Sequence, residues 1–219
     1  MRLLVAALGL TLVVGCAAPA SAPPRAPQQG RAAPTGRPVD PQLAQRLQRV
    51  MVPLIRAANN PRPLDRIRVG ILDDPQINAA NAGGGEFYVT RGLLEKANDQ
   101  QLAGVLAHEV AHDDLNHVAK AQTLGAGLNV GMILLDQLIP GSRVLTPIAG
   151  TLIARGYSRS EEYAADRHGV EILRRAGYPK EVMINTLTWL IQTSGPSSGG
   201  FFATHPGTGE RIEALKRLP

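Results

Sequence analysis

Two histidines four residues apart, with a glutamate directly after the first, are the residues of this 219-residue chain best placed to do chemistry: His108-Glu109-Val110-Ala111-His112. On a helix, positions i and i+4 share a face and lie about 6 Å apart along the axis. Both imidazoles can therefore turn toward one metal ion. Zinc accepts imidazole nitrogen at about 2.0–2.1 Å, and a catalytic zinc needs three protein ligands and an open position for water. Glu109 falls beside such an ion rather than on it. A carboxylate there can take a proton from a water whose pKa the metal lowers toward about 7. The pattern points to metal-assisted hydrolysis with one zinc per chain. The alternative is a solvated helix face that happens to carry two histidines. Its neighbours argue against that, because Leu106 and Val110 are apolar and Ala107 and Ala111 are small.

The third ligand must come from elsewhere. His117 lies five residues past His112, about 140° further round a continuing helix, so it should not reach the same ion. It is expected at the surface or behind a ligand. The best candidate is a helix over residues 158–166. Glu162 and Asp166 share one face of it, and Ala164 and Ala165 would let it approach closely. Glu162 can offer a carboxylate oxygen, and Asp166 can accept a hydrogen bond from a ligand imidazole. Taken alone, the two acids would read as the charged face of an exposed helix. His205 leaves three roles open: a donor to the oxyanion, a cap on the metal, or a loop residue that pins the last helix. Arg211 is expected to pair with an acidic side chain near the site.

Several elements must position these residues. Asp40-Pro41 is an N-cap with a first-turn proline, and apolar residues at helical spacing follow from Leu43 to Ile55. Residues 67–71, 77–82 and 86–90 read as strands, the last two joined through Gly83-Gly84-Gly85, and Gly92 marks a turn. Asn98 and Gln101 form a capping box for the motif helix, expected over 99–121, with Leu102, Val105, Leu106, Val110, Leu115 and Val118 on its buried side. The apolar stretch 124–154, broken at Pro140-Gly141-Ser142-Arg143, reads as a helical hairpin. It would pack on the domain or lie against a membrane or a protein partner. Helices are expected from Ser160 to Gly177, over 180–193 and over 208–218. The whole is α+β, mainly helical, with a small β-sheet beside the motif helix.

The amino terminus concerns location. Met1-Arg2 and the twelve apolar residues 3–14 suit a signal peptide and are too few to span a bilayer stably. Val13-Val14-Gly15-Cys16 resembles a bacterial lipobox, which implies cleavage after Gly15 and lipid on Cys16. The alternative is an ordinary secretion signal cut at Ala17-Ala18 or Ala20. Cys16 is the only cysteine, so no disulfide within the chain can support the fold. Ala17 follows it rather than Asp, which favours the outer membrane. Residues 16–39 are rich in Pro, Ala, Gly and Arg and read as a disordered tether. The expected organisation is a lipoprotein signal at 1–15, the tether at 16–39 and one domain carrying the zinc motif at 40–219. The net charge is +5 with scattered basic residues. Nucleic-acid binding has little support.

The motif, followed some fifty residues later by Ser158-Arg159-x-x-Glu162-x-x-Ala165-Asp166, resembles the minigluzincin zinc peptidases of the HtpX, BepA and LoiP type, relatives of the CAAX prenyl proteases and Oma-type peptidases. Asn81-Ala82, Phe87-Tyr88-Val89-Thr90, Arg91-Gly92-Leu93-Leu94, Thr204-His205-Pro206 and Arg211-Ile212 extend the likeness over roughly residues 41–218. It implies a zincin-like minigluzincin fold. It implies zinc on His108, His112 and Glu162, Glu109 as general base and Asp166 as supporting acid. It also implies that the strand Glu86–Thr90 is an edge strand that pairs with extended substrate. The multi-spanning helices of the integral-membrane members are absent, so the lipid would localise the enzyme. The function so implied is an endopeptidase acting on unfolded or misassembled cell-envelope proteins from a lipid anchor facing the periplasm. The rivals are a zinc lipoprotein acting as a chaperone or assembly factor, and a hydrolase of cell-wall peptides. Retention of Glu109 favours turnover.

Overall fold

The computed structural model describes residues 40–117, 130–134, 156–194, 200–206 and 208–219. Cys16, the 16–39 tether and all of 124–154 except 130–134 lie outside those residues.

Helix α1 (Pro41–Arg56) opens on Asp40, whose side chain accepts from the Gln42 N–H at 2.8 Å. A short 3₁₀ turn (Leu64–Arg66) leads into strand β1 (Arg68–Leu72), then β2 (Ala79–Gly83) and β3 (Glu86–Thr90). Gly83, Gly84 and Gly85 all hold positive φ, between 66° and 82°, so the β2–β3 turn uses a backbone form that favours glycine at three successive positions. Thr90 caps helix α2 (Arg91–Lys96), a full turn of helix where a simple turn was expected. The motif helix α3 (Asp99–Asp114) begins with the anticipated Asn98–Gln101 capping box. Strand β4 (Val130–Leu134) follows, then α4 (Arg159–Arg175), α5 (Glu181–Ser194), α6 (Phe201–Thr204) and α7 (Thr208–Lys216).

The fold is α+β and mainly helical, with the sheet beside α3. Strand order is β2-β3-β1-β4; β1 runs parallel to β3 and antiparallel to β4, and β2 runs antiparallel to β3. Helix α3 is buried from Leu102 to Asp113, packed among α1, α4, α5 and β2. It is thus a core helix with no solvent face over its middle turns. Gly104 lies against the Thr186 side chain on α5 so closely that a Cβ would sit 2.1 Å from Oγ1. Among the described residues no helix is long and apolar enough to cross a membrane.

Three expectations are corrected. Strand Glu86–Thr90 is not an edge strand: β1 pairs with it on one side and β2 on the other. The strand that precedes the hairpin crosses over to its far side, so order in sequence is not order in space. Second, residues 130–134 of the expected helical hairpin form a strand on β1. Val-Gly-Met-Ile-Leu is a short apolar run, whose periodicity does not separate helix from strand. Third, α3 stops at Asp114 rather than 121. Asn116 takes φ 56°, the Asn116 N–H donates to the Asp113 carbonyl at 3.1 Å and the His117 N–H to that of His112 at 2.8 Å. This is a Schellman motif with asparagine in the left-handed position. Leu115, expected to be buried, is exposed as a result.

Gly92 and Gly84 separate close packing from backbone freedom. A Cβ on Gly92 would lie 2.2 Å from the Pro75 carbonyl oxygen and 2.3 Å from that of Gln76, neither of which can rotate away. Gly92→Ala should cost about 3 kcal/mol and lower Tm by roughly 6–12 °C. Gly84 has φ +66° and open space around it, so Gly84→Ala should cost only about 1–2 kcal/mol. Thermal unfolding of the two variants checks the ranking.

Candidate metal centre

The one-turn spacing on α3 brings the Nε2 atoms of His108 and His112 to 3.1 Å. Ser158 and Glu161 form a capping box that starts α4 and fixes its first turn, where Glu162 sits. From there Glu162 presents Oε2 at 3.5 Å from His108 Nε2 and Oε1 at 3.4 Å from His112 Nε2. His205, just past α6, adds Nδ1 at 3.2 Å from His108 Nε2 and 2.9 Å from Glu162 Oε1. One donor atom from each of the four residues lies within 4.8 Å of every other, and all four residues are buried.

These spacings fit a metal ion. Tetrahedral corners around an ion bound at about 2.0–2.1 Å lie about 3.3 Å apart. The chemistry of the donors agrees: facing imidazole nitrogens can share one proton, and the other lone pairs then oppose one another unless a cation stands between them. Both carboxylate oxygens of Glu109 and Nε2 of His205 are buried without a hydrogen bond, although Nε2 and Glu109 Oε1 are only 3.3 Å apart. Such orphaned atoms are uncommon in a folded interior and are explained by an absent ion or water.

The acid–base balance shows how strongly the cluster demands positive charge. Burial alone would raise the Glu162 carboxyl, but the charges of His205 and His108 and hydrogen bonds from His108 and His112 pull it well below the usual range. Burial alone would lower His108, yet the Glu162 charge and the hydrogen bond to Asp166 lift it to about 9. His112 is driven down to about 2, chiefly by burial. Burial also raises the Glu109 carboxyl, against the pull of the His205 and His108 charges.

Behind the donors lies a supporting layer. Asp166 Oδ1 is 3.1 Å from His108 Nδ1, which holds the proton on that nitrogen and frees Nε2 for a metal. Arg211 on α7 donates to Asp166 through Nε and Nη2, both at 2.7 Å, and forms a close ion pair with Glu162 Oε2. It also reaches the His205 carbonyl at 3.4 Å. The expected acidic partner of Arg211 is therefore two carboxylates. His117 stays out of the four-residue cluster, but its Nδ1 faces His112 Nδ1 at 3.1 Å because the Schellman turn folds it back. The 140° separation assumed a helix that continued. Two aromatic residues were not anticipated. Tyr157 stacks on His112 with centroids 3.7 Å apart, and Phe201 stacks on His205 at 4.1 Å. Only their nearness to Ser158 and His205 in sequence could have hinted at this.

A motif helix closed by a carboxylate from a second helix, with a free buried glutamate beside the ligands, defines a metallopeptidase site. The chain belongs to Peptidase family M48, whose family model matches residues 41–218. It is 32% identical to a "Protease HtpX homolog" of Salinibacter ruber, over 75% of this chain and 71% of that protein. It is 29% identical to a protein of the same name from Streptococcus pneumoniae, over 83% of this chain and 76% of that one.

Removing a ligand and removing a supporter should differ in degree. Glu162→Ala should lower metal affinity by more than about 100-fold, whereas Asp166→Asn should lower it by about 10- to 100-fold. Competition with a chromogenic chelator measures both. Equal affinities for Glu162→Ala and wild type would remove Glu162 from the ligand set.

Proposed function

We propose that the protein is a zinc-dependent endopeptidase that cleaves extended segments of unfolded or misassembled cell-envelope proteins from a lipid anchor at Cys16. The observation that carries the peptidase reading is the convergence of His108, His112 and Glu162 beside a buried Glu109 whose oxygens accept no hydrogen bond. Two imidazoles and one carboxylate are a common catalytic zinc set. Zinc held there would supply Lewis acidity, activating water and polarising the scissile carbonyl. Glu109 would take the proton from the attacking water and deliver it to the departing amine, a task suited to a carboxyl raised by burial. Asp166 and Arg211 would keep His108 oriented and balance the charge of Glu162. His205 Nδ1 lies among the other donors, 3.2 Å from His108 Nε2, so this ring would serve as a fourth ligand.

Extended chains suit the site because β2 has only β3 beside it in the described sheet. Its outer side would pair with substrate backbone without demanding a sequence. Strand β2 packs on α3, the helix that carries His108, Glu109 and His112, which supports this reading. A lipid at Cys16 would hold the domain at the membrane in a chain whose described helices cannot span it.

The decisive comparison uses the full chain. Wild type should bind one zinc and cleave casein. Glu109→Gln should keep its zinc and lose at least about 1,000-fold in rate. Zinc-loaded wild type that cleaves none of several unfolded substrates would overturn the peptidase reading and favour a chaperone. For location, Cys16→Ser should move the protein from the membrane fraction to the soluble one, and retention in the membrane would remove the lipid anchor.

A further inference from the structure

Asp113 follows the second motif histidine directly and is buried, with 7% of its surface exposed. It is one helical turn beyond Glu109, so the two acids lie on the same side of α3. The Asn81 backbone of β2 faces Glu109. Four residues on, at the turn that closes the hairpin, the Gly85 N–H donates to Asp113 Oδ1 at 3.1 Å. Arg62, from the segment before β1, donates through Nε to the other oxygen, Oδ2, at 2.7 Å. Gly85 has little room to move: a Cβ there would meet Arg62 Cδ at 2.9 Å and the Arg66 carbonyl oxygen at 3.0 Å. The β2–β3 turn is thus fastened to the motif helix at one point, by an acid whose second oxygen is held by Arg62.

We propose that Asp113 is a positioning residue that holds the β2–β3 hairpin in register with Glu109 and so sets where an extended substrate lies relative to the scissile-bond chemistry. This rests on the peptidase reading and on substrate pairing with β2. A free carboxylate at this position of the helix would otherwise be an unpaired buried charge. The hairpin turn, with three residues at positive φ, is otherwise held by the Gly83 N–H on Asn81 Oδ1 at 2.6 Å and the Arg68 N–H on the Gly85 carbonyl at 2.9 Å, and neither bond ties it to α3. If the tether is lost, each productive encounter must first order the strand, and that loss falls on binding rather than on the chemical step.

Three variants of the full chain separate the possibilities. Asp113→Ala removes both bonds. Asp113→Asn keeps an oxygen for the Gly85 N–H, and Arg62→Ala removes the ion pair alone. With a series of peptides of increasing length, Asp113→Ala should raise KM about 10-fold for peptides long enough to cover the five residues of β2. Its kcat, its zinc content and its KM for the shortest cleaved peptide should stay within about twofold of wild type. Asp113→Asn should recover most of the loss and Arg62→Ala should lose less than Asp113→Ala. A fall in kcat at unchanged KM, a loss independent of peptide length, loss of zinc, or an Asn variant as impaired as Ala would each overturn the proposal. Hydrogen exchange provides a readout that does not need activity. In Asp113→Ala, amides of residues 79–86 should exchange at least about 10-fold faster, with those of α3 unchanged. Unchanged protection of the hairpin would overturn the tether even in an active enzyme. A zinc-loaded but inactive wild type would instead defeat the peptidase reading, and with it the substrate-setting role.

Discussion

One constraint organises the molecule: a helix carrying five ionisable side chains in seven residues runs through its interior. His108, Glu109, His112, Asp113 and Asp114 lie on α3, and the first four are buried. Each such group costs several kcal/mol to bury unless it is paired. The pairing comes from every direction. Asp166 and Glu162 on α4 answer the histidines. Gly85 and Arg62 answer Asp113, and the Asn59 and Asn60 N–H groups with His168 answer Asp114. Only the Glu109 carboxylate has no geometric hydrogen bond, and it is the group proposed to move the proton. Packing and chemistry are therefore not separate layers here. The segments that satisfy α3 are the segments that build the site.

The deepest consequence is the place of α7. Arg211 is among the largest fully buried side chains, with 1% of its surface exposed. Its guanidinium takes both oxygens of Asp166 and also meets Glu162, so one cation balances two carboxylates. A lysine could not hold two oxygens in a plane this way. Arg211 lies 49 residues beyond Glu162 in sequence, yet without it the ligand helix would carry two uncompensated acids into the core. The C-terminal helix is part of the metal centre although it offers no ligand.

How far this was legible in the sequence depends on the range of each interaction. The i, i+4 spacing of His108 and His112, the capping boxes at Asn98 and Ser158 and the shared face of Glu162 and Asp166 are local, and local geometry is set by the helix itself. What failed was non-local or turned on a single residue. Nothing within residues 67–90 says that β1 returns to the far side of β3, so the sequence points to Glu86–Thr90 as the edge, whereas in the described sheet β2 is the strand beside β3 with no second neighbour. Asn116 did carry a signal, since asparagine readily takes the left-handed form. The apolar positions Leu115 and Val118 continue the helical spacing past it, and that spacing alone predicts a longer helix. The early end of α3 then moved His117 behind His112. A helix that stops seven residues early, at Asp114 rather than 121, thus changes which groups meet.

His205 shows where the geometry and the proposed chemistry pull against each other. Four protein donors complete a tetrahedron, and a closed tetrahedron is the state of a structural metal site. Hydrolysis needs one position open. The two demands are compatible only if one donor is held less firmly than the rest, and the elements show which. His108 and His112 share one helix, and Glu162 stands on a capped helix turn gripped by Arg211. His205 lies beyond the four-residue helix α6, held by stacking on Phe201, by the hydrogen bond from its N–H to the Phe201 carbonyl at 3.0 Å and by a long one from Arg211 to its own carbonyl at 3.4 Å. Its ring meets Glu162 through Nδ1 and Glu109 through Nε2. The ring that offers a fourth donor is thus also the ring beside Glu109, so the donor set and the proposed base share one mobile neighbour only if this contact is the one that yields.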